Sequence, residues 1–482
     1  MSTESDEAQT PETAVDAGNL PRPERASGFS LDIEERSIQD AVRDWVGRLR
    51  TGDPGALPSV LGLVVLAVIF MQVSDRFLSK YNIGNLPGQG AYIAVIAMGL
   101  VFVLLLGEID LSAGTAGGTA AAIAAVGVFN GNLNDALPSL LYWGLLVGMV
   151  AAIALAVWLK AWSGAAVVAI GLVLIATNLT QHLIPALIAA VCIGAAIGVL
   201  NGYLVAKVGI PSFVVTLALF LAWQGVLQFA LKGQPVNTSN YDLWHSLTYG
   251  NLSVLWSWVF TVVVVGGYLA VTLLRSLSAR RNGLARDSVT LVLVRGGVIA
   301  LVAVVITLFA SQNRNTNVYK VIEGIPVPAV IVILLMIACT VALTKTTWGR
   351  HLYATGGNPE AARRAGIDVT HMRVTAFILC SSFGALGGIM LASSQSSASL
   401  DLGSGNVLLF SVAAAVIGGT SLFGGRGKAR DAVLGALVIV IIPNGLLLRP
   451  SLGAQWQQVI TGVVLLLAAA VDAVSRKRAV AS

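Results

Sequence analysis

The sequence predicts an all-α protein that crosses a membrane about 14 times, with 12 crossings as the lower bound. First, 56% of the 482 residues are apolar and only 11% are charged, whereas a soluble domain carries about 25% charged residues. Second, the apolar residues form stretches of about 20, the length that an α-helix needs to span the bilayer core. Third, the charged residues concentrate between these stretches and at the chain ends. Backbone amides inside a bilayer must be bonded internally, which favours helices.

The first 56 residues differ in composition from the rest of the chain. They contain 12 acidic and 6 basic residues, and the start lacks the basic and apolar regions of a signal peptide. We therefore expect residues 1–30 to form a disordered, acidic tail in the cytosol. Residues 31–56 are predicted to form an amphipathic helix, which lies either in the membrane surface or, as a solvated helix, against its own protein.

A transmembrane permease domain is predicted over residues 57–474, followed by a basic cytosolic tail at 475–482. Several of its apolar stretches are short or separated only by brief polar breaks. The expected spans are 57–73, 91–106, 112–130, 140–159, 164–180, 185–204, 212–231, 253–274, 289–310, 327–344, 374–393, 406–423, 431–448 and 455–474.

Lysine and arginine residues indicate the direction of insertion, because they are retained on the cytosolic side of short loops. After position 56 there are 24 basic residues; with the N-terminus inside, 17 of them fall in cytosolic loops, 6 in outer loops, and Arg295 lies within a span near its cytosolic end. Both termini are therefore predicted to be cytosolic, which requires an even number of spans. Among the cytosolic loops, 275–287 and 345–373 are the richest in basic residues.

Several function classes have no support in the sequence. The basic residues do not alternate with aromatic ones in clusters, so no nucleic-acid partner is expected. The 3 cysteines lack CxxC spacing and the 4 histidines are scattered, so no metal site is predicted. The segment GGRGKAR at 424–430 lacks the first Gly and the Ser/Thr of a phosphate-binding loop. We predict that the chain is not an enzyme and binds no cofactor of its own.

The segment GEIDLSAG at 107–114 places Gly107, Glu108, Asp110 and Ser112 between two apolar stretches. A carboxylate inside hydrocarbon costs about 2.5–3.5 kcal/mol on insertion scales, so it must face a polar pathway, a partner or a helix end. Asp110 either caps a helix that begins at Leu111 or belongs to a translocation path, and both roles are compatible.

A second glycine-rich break, GGTSLFGG at 418–425, follows the same G-x-x-x-L-x-x-G pattern. An Asn-Gly pair follows downstream of each break, with Asn201 after the first and Asn444 after the second. These similarities are consistent with an internal duplication, although the downstream spacing differs. We include Asn201 and Asn444 among the candidates for the translocation path or for helix breaks.

The loop at 345–373 contains a short helix with its own start and stop signals. Asn358 is a favoured N-cap residue, Pro359 suits the first helical position, Glu360 complements the helix dipole and Gly366 suits a left-handed C-terminal position. We interpret the segment as a docking helix rather than a plain connector, since the loop is longer than a turn requires. The expected docking face carries Ala361, Ala362, Arg363 and Arg364.

Four ordered motifs resemble the membrane permeases of bacterial monosaccharide ABC importers, the family of ribose, galactose, arabinose and xylose permeases. They are GEIDLSAG (107–114), NGYLVAKVGIPSFVVTLA (201–218), GRHLYATGGNPEAARRAGID (349–368) and SVAAAVIGGTSLFGGRG (411–427). Members of this family commonly have about ten spans. The additional spans expected near 140–180 and within 253–310, together with GEIDLS, resemble the xylose-type branch in particular.

The resemblance implies the ABC importer permease fold and the import of a monosaccharide, with xylose expected, across the bacterial inner or plasma membrane. It also implies a second permease copy, cytosolic subunits that bind ATP and Mg²⁺, and an external solute-binding protein. The residues that match the family's cytosolic EAA-x3-G-like coupling segment are Glu360, Ala361, Ala362 and Gly366. Those that match its early membrane signature are Gly107, Asp110, Leu111 and Ser112.

Three alternatives remain open at this stage. The chain is either a permease for another sugar or a nucleoside, a proton-coupled secondary carrier that uses Glu108 and Asp110 as a relay, or a structural membrane scaffold. A carrier has no need of an ATPase or of a docking helix, and a scaffold has no need of buried carboxylates.

Overall fold

The computed structural model describes residues 57–281, 288–315, 319 and 321–448, together with Arg43, Gly47 and single residues between 455 and 466. The predicted acidic tail (1–30) and basic tail (475–482) lie outside the described residues. So do most of the predicted interfacial helix (31–56) and most of the last predicted span (455–474).

The described part of the chain is a bundle of helices with one pair of two-residue strands. Strands β1 (Val236–Asn237) and β2 (Ser397–Ala398) pair antiparallel, with Val236 opposite Ala398. In chain order the helices are α1 (Leu57–Val73), α2 (Lys80–Leu104), α3 (Ala113–Phe129), α4 (Leu133–Ala136), α5 (Ser139–Trp158), α6 (Trp162–Ala176), α7 (Leu183–Tyr203), α8 (Ser212–Ala230), α9 (Asp242–Tyr249), α10 (Val254–Arg281), α11 (Val289–Ala310), α12 (Val327–Lys345), α13 (Thr347–Gly357), α14 (Pro359–Arg364), α15 (Val369–Ser394), α16 (Asn406–Ile417) and α17 (Ala429–Leu447).

Thirteen predicted spans correspond to helices in the described residues. Nine of these helices are long and apolar enough to cross a membrane, and α1, α3, α6 and α16 are shorter apolar helices. This agrees with a polytopic α-helical membrane protein. We call the end of the bundle that carries the 345–373 loop the inner end and the opposite end the outer end.

Four predicted span boundaries were wrong. Helix α10 continues to Arg281 rather than ending at 274, so part of the predicted cytosolic loop at 275–287 is helical. The other three boundaries have identifiable local reasons. Helix α2 begins at Lys80 rather than 91. The prediction omitted its first turns because they contain polar residues, but such residues, for example Asn82, are buried in the bundle and hydrogen-bonded there. Helix α15 begins at Val369 rather than 374, where Asp368 caps it by accepting a hydrogen bond from the His371 amide. Helix α16 ends at Ile417 rather than 423, because glycines with positive φ follow, the first of them Gly419.

Helix α15 lies at the centre of the bundle and packs against α2, α3 and α7. Glycines at these contacts allow backbones to touch. A Cβ atom added at Gly117 of α3 would lie 2.0 Å from the Gly384 carbonyl oxygen, and one added at Gly198 of α7 would lie 2.5 Å from the Ile378 Cα. Close backbone approach through small residues is the usual packing mode of membrane helices.

The chain between β2 and α16 returns into the bundle without forming a helix. Gly118 and Gly114, in the first turns of α3, pack on the carbonyl oxygens of Leu402 and Gly403. The other end of α3 lies at the outer end, where Phe129 contacts the Tyr241 ring at 5.6 Å. The re-entrant segment, residues 399–405, therefore runs along α3 from the outer end towards the inner end, where α16 continues the crossing.

Candidate functional site

Helix α14 is a short, capped helix on the loop at the inner end. The Asn358 side-chain oxygen accepts a hydrogen bond from the Ala361 amide at 3.0 Å, and Pro359 occupies the first helical position. Gly366 follows the helix with φ of +83°, a conformation that favours glycine. The start and stop signals in the sequence thus produce the helix that they predict.

The exposed face of α14 differs from the predicted docking face. Glu360, Ala361, Arg363 and Arg364 are exposed, and Glu360 forms an ion pair with Arg363. Ala362 is only 4% exposed because it packs against the remainder of its own chain. Successive residues of a helix point about 100° apart, so Ala361 and Ala362 do not share a face. The prediction that both enter one groove of a partner was therefore wrong.

The loop that carries α14 is held against both glycine-rich breaks. The Tyr353 hydroxyl of α13 donates a hydrogen bond to the Gly427 carbonyl oxygen at 2.6 Å. A Cβ atom on Gly356 would lie 1.8 Å from the Leu105 carbonyl oxygen, which in turn accepts a hydrogen bond from the Gly425 amide at 2.8 Å. Residues 353–356, 105–107 and 424–427 therefore form one contact region, which we call the inner junction.

Burial of the Tyr353 hydroxyl and, to a lesser extent, the nearby Asp431 carboxylate raise the pKa of this tyrosine above its ordinary value of 10. The hydroxyl therefore keeps its proton at physiological pH. It remains a donor to the Gly427 carbonyl oxygen, and this bond ties α13 to the segment that connects α16 with α17.

Glu108 is paired rather than free. Its Oε1 lies 3.1 Å from Nε of Arg373, in the first turns of α15, and the two side chains are 13% and 30% exposed. The pair joins the first glycine-rich break to the central helix immediately after the α14 loop. The sequence showed Arg373 only as one of several basic residues, since nothing local indicates which carboxylate it meets.

Asp110, Ser112 and Asn201 form a buried cluster beside this ion pair. Asp110 Oδ1 accepts hydrogen bonds from the Ser112 amide at 2.9 Å and from the Ser112 hydroxyl at 2.7 Å. The Asn201 amide group donates to the Ser112 hydroxyl oxygen at 2.9 Å. The Cys380 thiol of α15 lies against the Asp110 carboxylate, and Asn201 Oδ1 has no hydrogen-bond partner among the described residues.

The predicted capping role of Asp110 needs correction. Helix α3 begins at Ala113, not at Leu111, and the amide that Asp110 binds is that of Ser112, which precedes the helix. The backbone of the break is instead fixed from α8. Ser212 accepts from the Ile109 amide at 3.2 Å, and Thr216 donates to the Ile109 carbonyl oxygen at 3.2 Å.

Asn444 does not join this cluster. It lies near the outer end of α17, where its side-chain amide and that of Asn82 in α2 each donate to the other at 2.8 Å. It also donates to Gln89 at 3.1 Å. The two glycine-rich breaks thus meet at the inner junction, as a duplication would allow, but the two asparagines that follow them occupy unrelated positions.

Two further polar positions are absent from the predicted site residues: Asp401 in the re-entrant segment, and Asn406, the first residue of α16. Asp401 and Asn406 are exposed in the single chain, although their segment runs beside α3 within the bundle. Irregular backbone at membrane depth is tolerated where it lies buried in protein or lines a water-filled cavity, and an intramembrane carboxylate is expected to face such a cavity. The polar run SSASLDLGSGN at 396–406 was the available signal.

Comparisons with known proteins identify the family. Residues 161–469 match the profile of the family described as branched-chain amino acid transport system / permease component. The xylose transport system permease protein XylH of Escherichia coli (strain K12) is 28% identical over 87% of this chain and 92% of its own. The ribose import permease protein RbsC of the same strain is 27% identical over 86% of this chain and 92% of its own. No solved structure matches the chain.

The match excludes the secondary-carrier and scaffold alternatives, because ABC permeases form the membrane path of an importer whose ATP hydrolysis takes place on a separate chain. ATP-binding subunits and a solute-binding protein are the partners that this family implies. The chain belongs to the family of branched-chain amino acid transport system permease components and is a transmembrane permease subunit of an ABC importer in the cell membrane.

Proposed function

We propose that this permease imports a monosaccharide and that the monosaccharide is xylose. The observation that carries the proposal is the extent of the similarity: a permease named for xylose transport aligns over 87% of the chain and is 28% identical to it. The permease named for ribose import aligns over a similar share, so ribose is the second candidate. We propose further that ATP and Mg²⁺ bind to the partner ATPase and that this chain holds no cofactor.

We infer that α14 receives the movement of the ATPase. Its exposed side, made of Glu360, Ala361, Arg363 and Arg364, is available to a partner, whereas Ala362 anchors the helix to its own chain. The Glu360–Arg363 ion pair is highly exposed, so its contribution to stability is small. Both residues are therefore free to change partners when an ATPase binds.

The inner junction is the proposed route from α14 to the membrane. Tyr353 and Gly356 connect the loop to the segment before α17 and to the end of α2. Arg373 connects the first turns of α15 to the first break through Glu108. A displacement of α14 therefore acts on both breaks together, and switching requires that these contacts differ between the two states of the cycle.

We propose that two copies of this chain enclose the pathway, with the re-entrant segment and α16 facing it. Asp401 and Asn406 are exposed on this side of the single chain. A polar pathway between two copies would hydrate the Asp401 carboxylate, which is costly to leave in lipid. The carboxylate and amide groups are also of the type that bind sugar hydroxyls.

The test is reconstitution of the full-length chain in liposomes with its ATPase and solute-binding protein. D-xylose is expected to stimulate ATP hydrolysis more than ribose, galactose or a nucleoside does, and the permease without the ATPase is expected to accumulate nothing. Stimulation by ribose alone would overturn the xylose assignment and leave the sugar-importer proposal intact.

The role of α14 is tested in the same liposomes. Glu360→Arg and Ala361→Trp change exposed positions, so we expect normal insertion but loss of sugar-stimulated ATP hydrolysis and uptake. Lys160→Glu is the control, since it reverses an exposed charge in the loop between α5 and α6, on the same predicted side of the membrane. Uptake at the wild-type rate in both α14 variants would contradict the coupling role.

A further inference from the structure

Arg314 is a buried cation at the outer end of the bundle. It follows α11 and is only 5% exposed. Its Nη2 donates to the Asn251 side-chain oxygen at 2.6 Å and to the Gly324 carbonyl oxygen at 2.8 Å. Among the described residues, Nε has no acceptor, and no carboxylate lies within ion-pair distance of the guanidinium. Burial lowers the pKa of Arg314. Its guanidinium nevertheless stays protonated, because arginine is not deprotonated in proteins.

The absence of an anion among the described residues leaves this charge uncompensated. A buried charge is costly unless it is paired, and arginine in particular presents a planar set of donors that matches a phosphate. Helix α2 makes room for the side chain at Gly84, where an added Cβ would lie 2.8 Å from the Arg314 Cδ. The fold thus accommodates the Arg314 side chain, and its unsatisfied Nε donor indicates a ligand.

An apolar groove of about 480 Å³ lies beside Arg314. It separates the α10–α11 hairpin from α2 and α12, and Arg314 is its one charged lining residue among those described. Representative lining residues are Phe260, Val264, Ala303, Ile306 and Ile333. A sugar finds almost no hydrogen-bond partners here, because the lining is nearly all hydrocarbon.

The hairpin is fixed to the bundle near the same end. The Ser257 hydroxyl oxygen accepts a hydrogen bond from the Ile325 amide at 2.8 Å, and the Leu252 amide donates to the Ile325 carbonyl oxygen at 2.9 Å. Farther along the hairpin most apolar side chains are exposed, including Val262, Leu301 and Val305. The groove therefore lies between a lipid-facing hairpin and the bundle, beside membrane lipid.

We propose that the groove binds one phospholipid of the outer leaflet, with an acyl chain between the hairpin and α2 and the phosphate on Arg314. Phospholipid is the occupant that supplies both missing elements, a hydrocarbon chain for the groove and an anion for the cation. Free phosphate would leave the groove empty. An apolar helix of a second copy would fill it but bring no anion.

The proposal is tested by native mass spectrometry of the full-length chain, delipidated in detergent and then titrated with dioleoylphosphatidylglycerol. Dioleoylglycerol, which has the same chains without phosphate, and inorganic phosphate, which has no chains, form the comparison arms. We expect one phosphatidylglycerol per chain, bound about tenfold more tightly than dioleoylglycerol, because the charge-assisted contact to Arg314 is lost with the phosphate. Inorganic phosphate is expected not to compete.

Two variants address the two halves of the site. Arg314→Gln removes the charge and is expected to weaken phosphatidylglycerol binding about tenfold. Ala303→Trp fills the groove without touching Arg314 and is expected to abolish the adduct. Lys232→Gln, which removes an exposed cation of the same outer side outside the groove, is the matched control and is expected to bind normally.

Equal binding of dioleoylglycerol and phosphatidylglycerol would overturn the proposal, as would full retention of the lipid by the folded Ala303→Trp variant. Displacement of the lipid by inorganic phosphate would identify an anion site without a lipid. A dimer that forms only when the lipid is removed, and that Ala303→Trp prevents, would identify a second copy as the occupant and contradict the proposal.

Discussion

Helix α15 and the α10–α11 hairpin are both apolar enough to cross a membrane, and their sequences differ little in that respect. Within the bundle they are opposites. Buried residues make up 89% of the apolar window of α15, against 11% for α10 and 17% for α11. The central helix touches α2, α3 and α7 along its length, whereas the hairpin joins the bundle near its outer end.

The difference lies in what surrounds the glycines, not in how many there are. In α15 a Cβ atom at Gly388 would lie 2.2 Å from the Gly117 carbonyl oxygen, so the backbones touch. In α10, Gly266 and Gly267 have nothing within 4 Å of such an atom. Small residues therefore permit close packing only where a neighbouring backbone is present. The comparison distinguishes a closely packed, glycine-rich core from a hairpin whose apolar side chains are mostly exposed.

The largest effect is expected from one methyl group in the core. Gly388→Ala places a Cβ against the backbone of α3, which cannot move away as a side chain can, so we expect a loss of about 3 kcal/mol or more and little folded protein. Gly266→Ala is the matched control in the hairpin. There the added methyl group has no neighbouring atom within 4 Å, and alanine has a higher helix propensity than glycine by about 1 kcal/mol. Fluorescence-monitored thermal unfolding of both variants would show opposite signs; equal effects would remove the distinction between core and hairpin.

The second prediction concerns coupling through the core. Glu108→Arg places a second cation against Arg373, next to the inner junction. We therefore expect sugar-stimulated ATP hydrolysis to fall about tenfold or more, by loss of the ion pair and by like-charge repulsion. The reversed pair, Glu108→Arg with Arg373→Glu, restores the attraction and is expected to recover most of the activity.

Thr307→Val in the hairpin provides the comparison for this experiment. It removes the hydrogen bond of 2.6 Å between Thr261 and Thr307 and is expected to leave coupling unchanged. If the double reversal were as inactive as the single one, the pairing of Glu108 with Arg373 would have no role in transmission.

An intermediate effect is expected at the outer end of the core. Asn444→Leu leaves Oδ1 of the buried Asn82 side chain without its donor, while Asn82 Nδ2 still donates to the Phe77 carbonyl oxygen. A buried acceptor left unsatisfied costs about 1–3 kcal/mol. Replacing both asparagines by leucine removes donors and acceptors together, so the double variant is expected to be less destabilised than the sum of the two single variants. Unfolding temperatures of the four proteins measure this coupling, and strict additivity would contradict the paired arrangement.

The smallest effect is expected at Tyr353. Tyr353→Phe removes one hydrogen bond to the Gly427 carbonyl oxygen and costs about 0.5–1.5 kcal/mol. Because the folded state raises the pKa of this tyrosine, its contribution to stability is complete below pH 10 and is lost as the pH rises above that ordinary value. The wild-type chain should therefore lose more stability than Tyr353→Phe does on going to strongly alkaline pH. Parallel pH profiles would show that the hydroxyl is not buried.

The sequence predicted the features that depend only on residues close together along the chain. Lengths of apolar stretches gave the positions of thirteen described helices to within a few residues at most ends, because a span is a local property of the chain. Asn358, Pro359 and Gly366 fixed the start and end of α14 for the same reason. The motifs at 107–114 and 349–368 also led to the family that the comparisons identify.

Only the tertiary structure decided which of these helices are buried and which polar groups meet. The Asn82–Asn444 contact joins residues 362 positions apart, and the Glu108–Arg373 ion pair likewise joins two different helix ends. Hydropathy is much the same for a helix that is buried in the bundle and for one that is not, so it could not place α15 at the centre. Such pairings depend on how the helices pack, and packing brings together residues that no local pattern connects.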